Sequence, residues 1–338
     1  AGLSSAADDL EAGDAAVLIT TSSGNITIDA AASDSDIILK GTDGGSDTTF
    51  LTIDGSAAGL ATFNAGVIGT AFNSIPFYTG DTGSIYTHDV SGTDDTAEYN
   101  TAYGLTALDA ITTGDNNVAI GYGSLTNQTT GGKNTSIGVG ALATQGGTSF
   151  NTAVGYDTLG DNTTGSANTA IGVQAMALNT TGAESVAVGF DALGGGVNIA
   201  EGNVAMGHSA LKINTTGANN VGVGRQALVS NTTGASNISI GSYSLDANTT
   251  GTQNVGIGQS TISTNTTGNY NTAVGHEALK ANTTANDNTA VGHAALTANT
   301  TGAANIAIGR AAMENNTTGA RNIAIGYEAY DNSDTEDD

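Results

Sequence analysis

A seventeen-residue sequence repeat, which runs from Asn100 almost to the C-terminus, constrains the fold of this chain more than any other feature. A clear copy begins Asn220-Val-Gly-Val-Gly-Arg-Gln-Ala-Leu, and the next copy starts at Asn237. Fourteen copies open at Asn100, Asn117, Asn134, Asn151, Asn168, Ser185, Asn203, Asn220, Asn237, Asn254, Asn271, Asn288, Asn305 and Asn322. Every step is seventeen residues, except for a step of eighteen from Ser185 to Asn203. A strict period of this length is the signature of stacked structural units.

The composition argues against an ordinary globular core. The 338 residues include 49 Gly, one Pro, no Cys and no Trp, and only 5% are aromatic, so large core side chains are scarce. Charged residues make up 12%, against about 25% in typical soluble domains. Disorder is also a poor description, because Val, Ile and Leu are regularly placed. We therefore expect a chain built from turns and narrow strands.

The charge balance bears on the possible partners. The formal net charge is -25, from 32 acidic and 7 basic residues, so the chain repels nucleic acid and anionic membranes. We predict no nucleic-acid partner and, because no run of about 18 apolar residues occurs, no membrane insertion. Cations or neutral sugars suit such a surface better. Because the chain begins Ala-Gly-Leu without an initiator Met, we expect the ordered part of a longer or processed polypeptide.

The first hundred residues have a different pattern. Residues 1–15 predict either a short helix or an acidic linker, and residues 16–75 predict an N-terminal β domain with its own core. Its expected strands, bounded by Gly, Ser or Asp, are Ala16–Thr20, Asn25–Asp29, Asp36–Lys40, Thr49–Asp54 and Leu60–Asn64. The only proline, Pro76, opens a neck or connector over 76–99. The repeats occupy 100–330, and residues 331–338 form an acidic tail.

The positions within a copy are numbered here as offsets from zero at its opening residue. Offset three is almost always Val or Ile, offset one is Thr, Val or Ile, and offset two is Ala, Ser or Gly. This period of two predicts a short strand whose side chains at offsets one and three face inward. Offsets seven and eight read small-then-large, and an Asn-Thr-Thr-Gly turn follows in most copies, which predicts a tight left-handed corner. Each copy is thus expected to hold two short strands and two turns.

Offset four is glycine in every copy. A glycine there predicts a positive φ or a close backbone approach, either of which a Cβ would obstruct. We predict a structural role for Gly104, Gly121, Gly138, Gly155, Gly172, Gly189, Gly207, Gly224, Gly241, Gly258, Gly275, Gly292, Gly309 and Gly326.

Stacking of the copies predicts an all-β, elongated parallel β-roll or solenoid of fourteen rungs behind the N-terminal β block. At about 4.8 Å per rung the stack is on the order of 67 Å long. Only about three side chains per rung are expected to point inward, which barely offsets the ordering of seventeen residues. Several chains that share a core would relieve this shortage. We therefore predict a parallel homotrimer, with a monomeric solenoid as the alternative.

The amino-acid sequence of the repeat resembles that of a known protein family. The phrases Asn151-Thr-Ala-Val-Gly, Ser185-Val-Ala-Val-Gly and Asn305-Ile-Ala-Ile-Gly are similar to the head repeats of YadA-type trimeric autotransporter adhesins. The resemblance covers residues 100–330 and implies a left-handed parallel β-roll whose three chains share a core. The present repeat is longer than the usual head repeat, and its outer turn is Asn-Thr-Thr-Gly.

The N-terminal block resembles a different group. Thr52-Ile-Asp-Gly-Ser and Gly59-Leu-Ala-Thr-Phe-Asn are similar to segments of bacteriophage tail fibres and virion appendages. Asn-Thr-Thr-Gly arrays also resemble fibre proteins of marine and cyanobacterial phages. The resemblance implies a virion or extracellular fibre that attaches to a cell-surface receptor, glycan or protein, and meets other virion proteins at its N-terminal end. The alternatives are a bacterial trimeric surface adhesin and a monomeric ice- or ligand-binding β-solenoid.

Catalytic constellations are not found in the sequence. There is no Cys, no Gly-x-Ser-x-Gly elbow in a strand-to-helix context, and the Gly-x-Gly pieces lack a following helix. We therefore predict no enzyme activity, no cofactor and no metal site. The weaker alternatives are a metal shared by His276 and His293, and calcium at 43–47 or 94–95, where charged turns explain the carboxylates as well.

Offset five is the best candidate for receptor contact, because it mixes aromatic and cationic side chains on an otherwise uniform surface. These side chains are expected to face outward or to fill a groove between chains. The predicted receptor-contact residues are Tyr122, Tyr156, Phe190, His208, Arg225, His276, His293, Arg310 and Tyr327. The copy at Ser185, with Gly194-Gly-Gly in place of the usual turn, is the one break in the pattern and a further place to expect something specific.

Overall fold

A computed structural model describes residues 37–43, 46–54, 60–63, 78–79, 85–86 and 96–331. The chain divides into two units, 1–70 and 71–338. All regular elements of the described residues are β-strands, and among those residues no helix is long and apolar enough to cross a membrane. The segment 1–15 and the expected strands at 16–20 and 25–29 lie outside the described residues.

The first unit contains a three-stranded antiparallel sheet of order β1-β2-β3. Its strands are β1 (Ile37–Asp43), β2 (Ser46–Asp54) and β3 (Leu60–Phe63), so the last three strands expected in this region are confirmed. The pairing of β1 with β2 shifts between Leu39 and Lys40, which marks a bulge.

The second unit is a parallel β-solenoid of seventeen-residue rungs, as predicted. Its sheet begins with β4 (Tyr78–Thr79), which is antiparallel to β5 (Ile85–Tyr86), and all later pairings are parallel. The rung strands are β6 (Thr101–Tyr103), β7 (Val118–Ile120), β8 (Thr135–Ile137), β9 (Thr152–Val154), β10 (Thr169–Ile171), β11 (Val186–Val188), β12 (Val204–Met206), β13 (Val221–Val223), β14 (Ile238–Ile240), β15 (Val255–Ile257), β16 (Thr272–Val274), β17 (Thr289–Val291), β18 (Ile306–Ile308) and β19 (Ile323–Ile325). Equal offsets pair with each other, as in Val221 with Ile238.

The rung strands face the opposite way from the sequence prediction. In every rung the small middle residue, such as Ala205 or Gly222, is buried, while the branched residues on either side are half-buried or exposed. The expectation that offsets one and three face the interior of the chain is therefore wrong. The physical reason is the thin cross-section of a rung, because only a very small side chain fits between the strand and the opposite wall. For example, a Cβ on Gly222 would lie 3.3 Å from the side chain of Leu211.

The core of the solenoid comes from offsets two, seven and eight. A column of large side chains at offset eight fills the interior, and an Ala, Ser or Thr at offset seven lines it. Leu211, Leu228 and Leu245 are fully buried members of that column on consecutive rungs. Because each rung adds about one large side chain to the core, the apolar driving force per rung is small.

The predicted second strand of each rung is absent from the described rungs. Offsets six and eight both have left-handed backbone, as at Gln226 (φ 56) and Leu228 (φ 54), so this stretch turns instead of extending. A third left-handed position is offset sixteen, for example Ser236 (φ 57). The expectation that Asn and Gly of the Asn-Thr-Thr-Gly corner supply the left-handed backbone is also wrong. Gly234 instead lies close to the next rung, since a Cβ there would lie 2.3 Å from the Gly251 carbonyl oxygen.

A ladder of buried asparagine side chains at offset zero joins successive rungs. The Asn220 backbone N–H donates to Asn203 Oδ1 (2.9 Å), and Asn237 repeats the bond to Asn220 Oδ1 (2.9 Å). Asn220 Nδ2 donates within its own rung to the Gly234 carbonyl (2.8 Å). Each asparagine thus satisfies buried backbone groups that the short strands leave unpaired.

A second asparagine ladder runs along offset eleven. Asn231 Nδ2 donates to Asn214 Oδ1 (2.8 Å) and to the Gly234 carbonyl (2.9 Å), and Asn248 Nδ2 donates in turn to Asn231 Oδ1 (2.8 Å). Two early rungs carry glutamine here instead, and Gln128 Oε1 and Gln145 Nε2 are buried without a hydrogen-bond partner. The asparagine side chain is therefore the length that fits the rung spacing.

The longer copy at Ser185 keeps both ladders. Ser185 Oγ takes the place of the amide oxygen and accepts the Asn203 backbone N–H (3.1 Å). In the widened corner Asn198 continues the second ladder, because its Nδ2 donates to Asn179 Oδ1 (2.9 Å). The extra residue is thus absorbed in the corner, where Val197 and Ile199 are exposed.

Removal of one amide from the second ladder should destabilise the stack. We expect Asn231→Ala to lower the free energy of unfolding by about 2–5 kcal/mol, because buried polar groups on three residues each lose one hydrogen-bond partner. Thr233→Ala, an exposed change in the same corner, should stay within about 0.5 kcal/mol. Urea denaturation followed by circular dichroism measures both, and equal midpoints for the two variants would contradict the ladder's role.

The half-buried Asp246 should make stability depend on pH. Desolvation by burial raises the pKa of its carboxyl, its own backbone hydrogen bond opposes this, and its Oδ1 is buried without a partner. The unfolded chain therefore loses this proton first, and stability falls as the pH rises above 3.8 towards the raised pKa. We expect Asp246→Asn to have a higher denaturation midpoint than the wild type at pH 7 and a smaller advantage below pH 3.8. The exposed Asp161→Asn serves as the control, and a pH-independent difference for Asp246→Asn would contradict this account.

Candidate functional site

The column at offset five, called here the offset-five column, lies on the outside of the solenoid. Each member follows the rung strand and its glycine, so the chain turns away from the sheet immediately before it. All nine residues predicted for receptor contact are exposed: Tyr122, Tyr156, Phe190, His208, Arg225, His276, His293, Arg310 and Tyr327. The structure places them on rungs one to three steps apart along one line of the surface.

The glycine before each column residue has a backbone that side chains rarely adopt. Across the fourteen rungs its φ lies between +128 and +142, from Gly121 to Gly138. A Cβ on Gly224 would also lie 2.6 Å from the carbonyl carbon and oxygen of Gly241 on the next rung. In the last rung the positive φ remains and only the steric constraint is relaxed, since a Cβ on Gly326 would meet nothing closer than 3.8 Å.

Two pairs of rings stack along the offset-five column. Phe190 and His208 have ring centroids 5.3 Å apart at 17°, and His276 and His293 have centroids 5.3 Å apart at 12°. This separation follows from the rung spacing of about 4.8 Å, which holds neighbouring rings in offset stacks. The faces between such rings are covered, and their edges remain in solvent.

Two arginines of the column lie over tyrosine rings. The Arg225 guanidinium is 5.4 Å from the Tyr243 ring centroid, and that of Arg310 is 5.3 Å from the Tyr327 ring. Arg310 Nη1 also donates to the Tyr327 hydroxyl oxygen (2.8 Å). A hydrogen bond with the Glu328 side chain raises the pKa of the Tyr327 hydroxyl, and the Arg310 charge opposes this. The C-terminal half of the column thus contains separate pairs of stacked or hydrogen-bonded polar and cationic groups.

The two adjacent histidines are arranged as a stack and not as converging ligands. Their near-parallel rings do not aim two nitrogens at one point, and no group of three or more His, Cys, Asp or Glu side chains gathers in the described part of the chain. Beside them Glu277 accepts a hydrogen bond from Lys280 Nζ (2.7 Å), which lowers the pKa of its carboxyl. The calcium alternative concerns side chains at 43–47 and 94–95 that lie outside the described residues.

The N-terminal half of the column is apolar, which the sequence analysis missed. Leu105, Val139 and Val173 occupy the same offset as the tyrosines and are exposed. With Tyr122, Tyr156 and Phe190 they form one apolar strip on six consecutive rungs, called here the apolar strip. The signal was available, because large and small apolar residues alternate at this offset, but only the large ones were singled out.

The branched residues of the rung strands, which the sequence analysis placed in the interior, form the outer face of the sheet. The side chains at offsets one and three, such as Val221 and Val223, form two continuous columns on the outside of the chain. Many of them are exposed, including Ile240, Ile257 and Ile308. The pair of columns is called here the sheet face.

A cleft of about 230 Å³ lies at another corner of the early rungs. Lys133 Nζ is 5.2 Å from the Phe150 ring centroid, and Ser149 Oγ accepts the Gly132 N–H (3.0 Å). The lining residues are Thr113, Asp115, Asn116, Thr130, Gly132, Lys133, Ser149 and Phe150. The cleft combines one cation, one carboxylate, one aromatic ring and small polar groups.

The Asn-Thr-Thr corners offer few free groups. The asparagine is fully buried, so the glycosylation sequons are closed in the folded chain. The first threonine donates its hydroxyl to the next rung, as Thr232 Oγ1 does to the Thr249 carbonyl (3.0 Å). The second threonine, such as Thr233, is exposed, whereas the first is half-buried in all of these corners but the one at Asn162.

The chain was compared with protein-family models, with curated proteins and with solved structures, and none of the three comparisons gave a match.

Exchange of neighbouring residues should separate the structural role of the glycines from the role of the column. We expect Gly224→Val to lower the free energy of unfolding by about 4 kcal/mol or more, or to prevent folding, because its Cβ meets the next rung's backbone. Arg225→Ala should stay within about 0.5 kcal/mol, since its side chain is exposed. Thermal denaturation measures both, and a normally stable Gly224→Val would refute this rung geometry.

Proposed function

We propose that the chain is a subunit of a non-enzymatic, homotrimeric fibre that attaches to a cell surface, as a phage tail fibre or similar virion appendage does. The observation that supports this proposal is the sheet face, which one chain leaves uncovered. Contiguous apolar surface of this kind typically marks a contact with another macromolecule.

The composition of the sheet face suits a protein contact. Of its 28 positions, 20 are Val or Ile and none is charged, in a chain whose net charge is -25. At about 67 Å by about 7 Å between the two columns, the face covers on the order of 500 Å². This lies in the upper part of the roughly 300–600 Å² found for the largest apolar patch of a monomer.

Further copies of the same chain are the best-matched occupants. An identical rung carries the same two columns at the same spacing, so parallel chains in register place equivalent side chains against each other over the whole length of the stack. Two columns per chain allow one contact with each of two neighbours, and three chains then close around an axis. The resemblance of the repeat to trimeric adhesin heads supports the same number of chains, which is three.

Such an assembly would act by reach and by repeated weak contact. Three identical offset-five columns on one fibre present the same residues to a surface receptor, glycan or protein, and raise avidity without any new contact. The N-terminal end would meet other virion proteins. The bacterial surface adhesin alternative shares this assembly and differs in location. The ice-binding alternative receives less support, because the first threonine of most intact corners donates its hydroxyl to the next rung within the stack.

Charges on the sheet face should dissociate the assembly without unfolding the chain. We expect the wild type to have about three times the 33.1 kDa of one chain by sedimentation equilibrium. Val188→Asp with Val223→Asp should reduce this mass to that of one chain, because both side chains point away from the chain's own core. Ser236→Asp adds the same kind of charge at an exposed corner and should keep the wild-type mass.

The same double variant tests attachment. Labelled wild type should be retained on some intact cells of a marine and cyanobacterial panel, and the double variant should be retained at least about 100-fold more weakly. A monomeric wild type would overturn the trimer. Retention of the wild type on no cell of the panel would overturn the attachment function.

A further inference from the structure

The apolar strip of the offset-five column has a period of its own. Tyr122, Tyr156 and Phe190 occupy every second rung and are 59%, 57% and 47% exposed. Val139 and Val173 lie between them on the intervening rungs. Two rungs correspond to about 9.6 Å, beyond the 4.5–7 Å at which rings stack, so neither face of the two tyrosines is covered by the next ring of this set. Phe190 has one face covered, because its ring stacks on that of His208.

We propose that Tyr122, Tyr156 and Phe190 form a platform for an extended neutral polysaccharide that lies along the stack. A pyranose ring has a flat C–H face that packs on an aromatic ring, and in an extended chain the same face recurs at every second sugar. That recurrence is close in length to two rungs of the solenoid. The inference rests on the proposed attachment function and adds the chemical class of the receptor.

The charges around the apolar strip favour a neutral ligand. Residues 100–202 contain one Lys, no Arg and seven acidic residues, so an anionic polysaccharide would be repelled. The same balance disfavours single-stranded nucleic acid, the other polymer that stacks on aromatic columns. At the next offset Asp157 and Gln174 are half-buried and offer oxygen and nitrogen atoms to sugar hydroxyls. Asp191 is held there by Lys212 Nζ at 2.8 Å.

The alternation of large and small residues separates the apolar strip from the sheet face. The sheet face carries branched side chains of similar size on every rung, which suits contact between identical chains in register. In the apolar strip such a contact would bring rings together at one rung and leave a gap between valines at the next. A polymer whose own repeat is as long as two rungs places each of its repeats against one aromatic ring, so no such gap arises.

The test is a calorimetric titration of the full chain with sugar hexamers. The neutral probes are cellohexaose, mannohexaose and xylohexaose, and the charged control is hexagalacturonate. We expect at least one neutral hexamer to bind and hexagalacturonate not to bind. Tyr156→Ala should weaken the affinity about tenfold, and the triple alanine variant of Tyr122, Tyr156 and Phe190 should abolish binding. Tyr270→Ala, which removes an equally exposed tyrosine outside the column, should bind as the wild type does.

Several results would overturn the platform. These are the failure of all three neutral hexamers to bind, equal binding of hexagalacturonate, or an equal loss of affinity in Tyr270→Ala. A loss of trimer mass in Tyr156→Ala would place the strip in the contact between chains instead.

The cell assay separates this inference from the proposed function. If the triple alanine variant is retained on cells as strongly as the wild type, attachment stands and the platform does not. Retention that protease treatment of the cells removes, and that soluble neutral polysaccharide does not compete, would indicate a protein receptor and overturn the platform. If the wild type itself is not retained, attachment fails, whereas hexamer binding in the calorimeter still decides the platform.

Discussion

The stack depends on hydrogen bonds between equal positions of successive rungs. A three-residue strand supplies few such bonds, and the buried column of one leucine-sized side chain per rung supplies little apolar stabilisation. The two buried asparagine ladders make up the difference, because each amide satisfies groups on its own rung and on a neighbour. Polar groups in a dry interior are favourable only when all of them are paired. This requirement explains why asparagine, and not a larger apolar residue, recurs at both offsets.

The sequence allowed the architecture to be predicted, but not the direction of its side chains. A strict period, small residues and an invariant glycine were enough for an all-β stack of seventeen-residue rungs. A period of two does not say which face of a strand is buried, and the more hydrophobic face was chosen. The rung is so thin that Ala205 or Gly222 fits inside while Val204 and Val221 do not. Likewise, the corner asparagine was interpreted through its backbone preference, whereas its side-chain hydrogen bonds decide its position.

The candidate site was predictable in place and only partly in extent. Variability and large polar side chains after an invariant glycine were sufficient to locate the offset-five column on the surface. The apolar strip could not be recognised from residue type, because valines such as Val139 and Val173 are typical core residues. Only the left-handed backbone at the following offset shows that the chain has turned and that both side chains lie on the surface. The sheet face was hidden for the opposite reason, since its branched residues were assigned to the interior of the chain. Whether a residue faces the chain's own core or its surface depends on contacts between rungs that one copy does not reveal.

The hydrogen bonds between rungs also determine how the solenoid carries force. Strand, asparagine and threonine bonds all connect one rung to the next, so tension along the stack loads every bond of an interface together. Because each rung is bonded mainly to its neighbours, the same tension passes through every interface in turn, and the weakest one opens first. At the junction of Ser185 with Asn203 a hydroxyl replaces the amide, and the nearby bond from Asn214 Nδ2 to Asn198 Oδ1 is stretched to 3.4 Å. The lengthened rung is therefore a weak point under load, as are the early rungs whose glutamines leave buried polar groups unpaired.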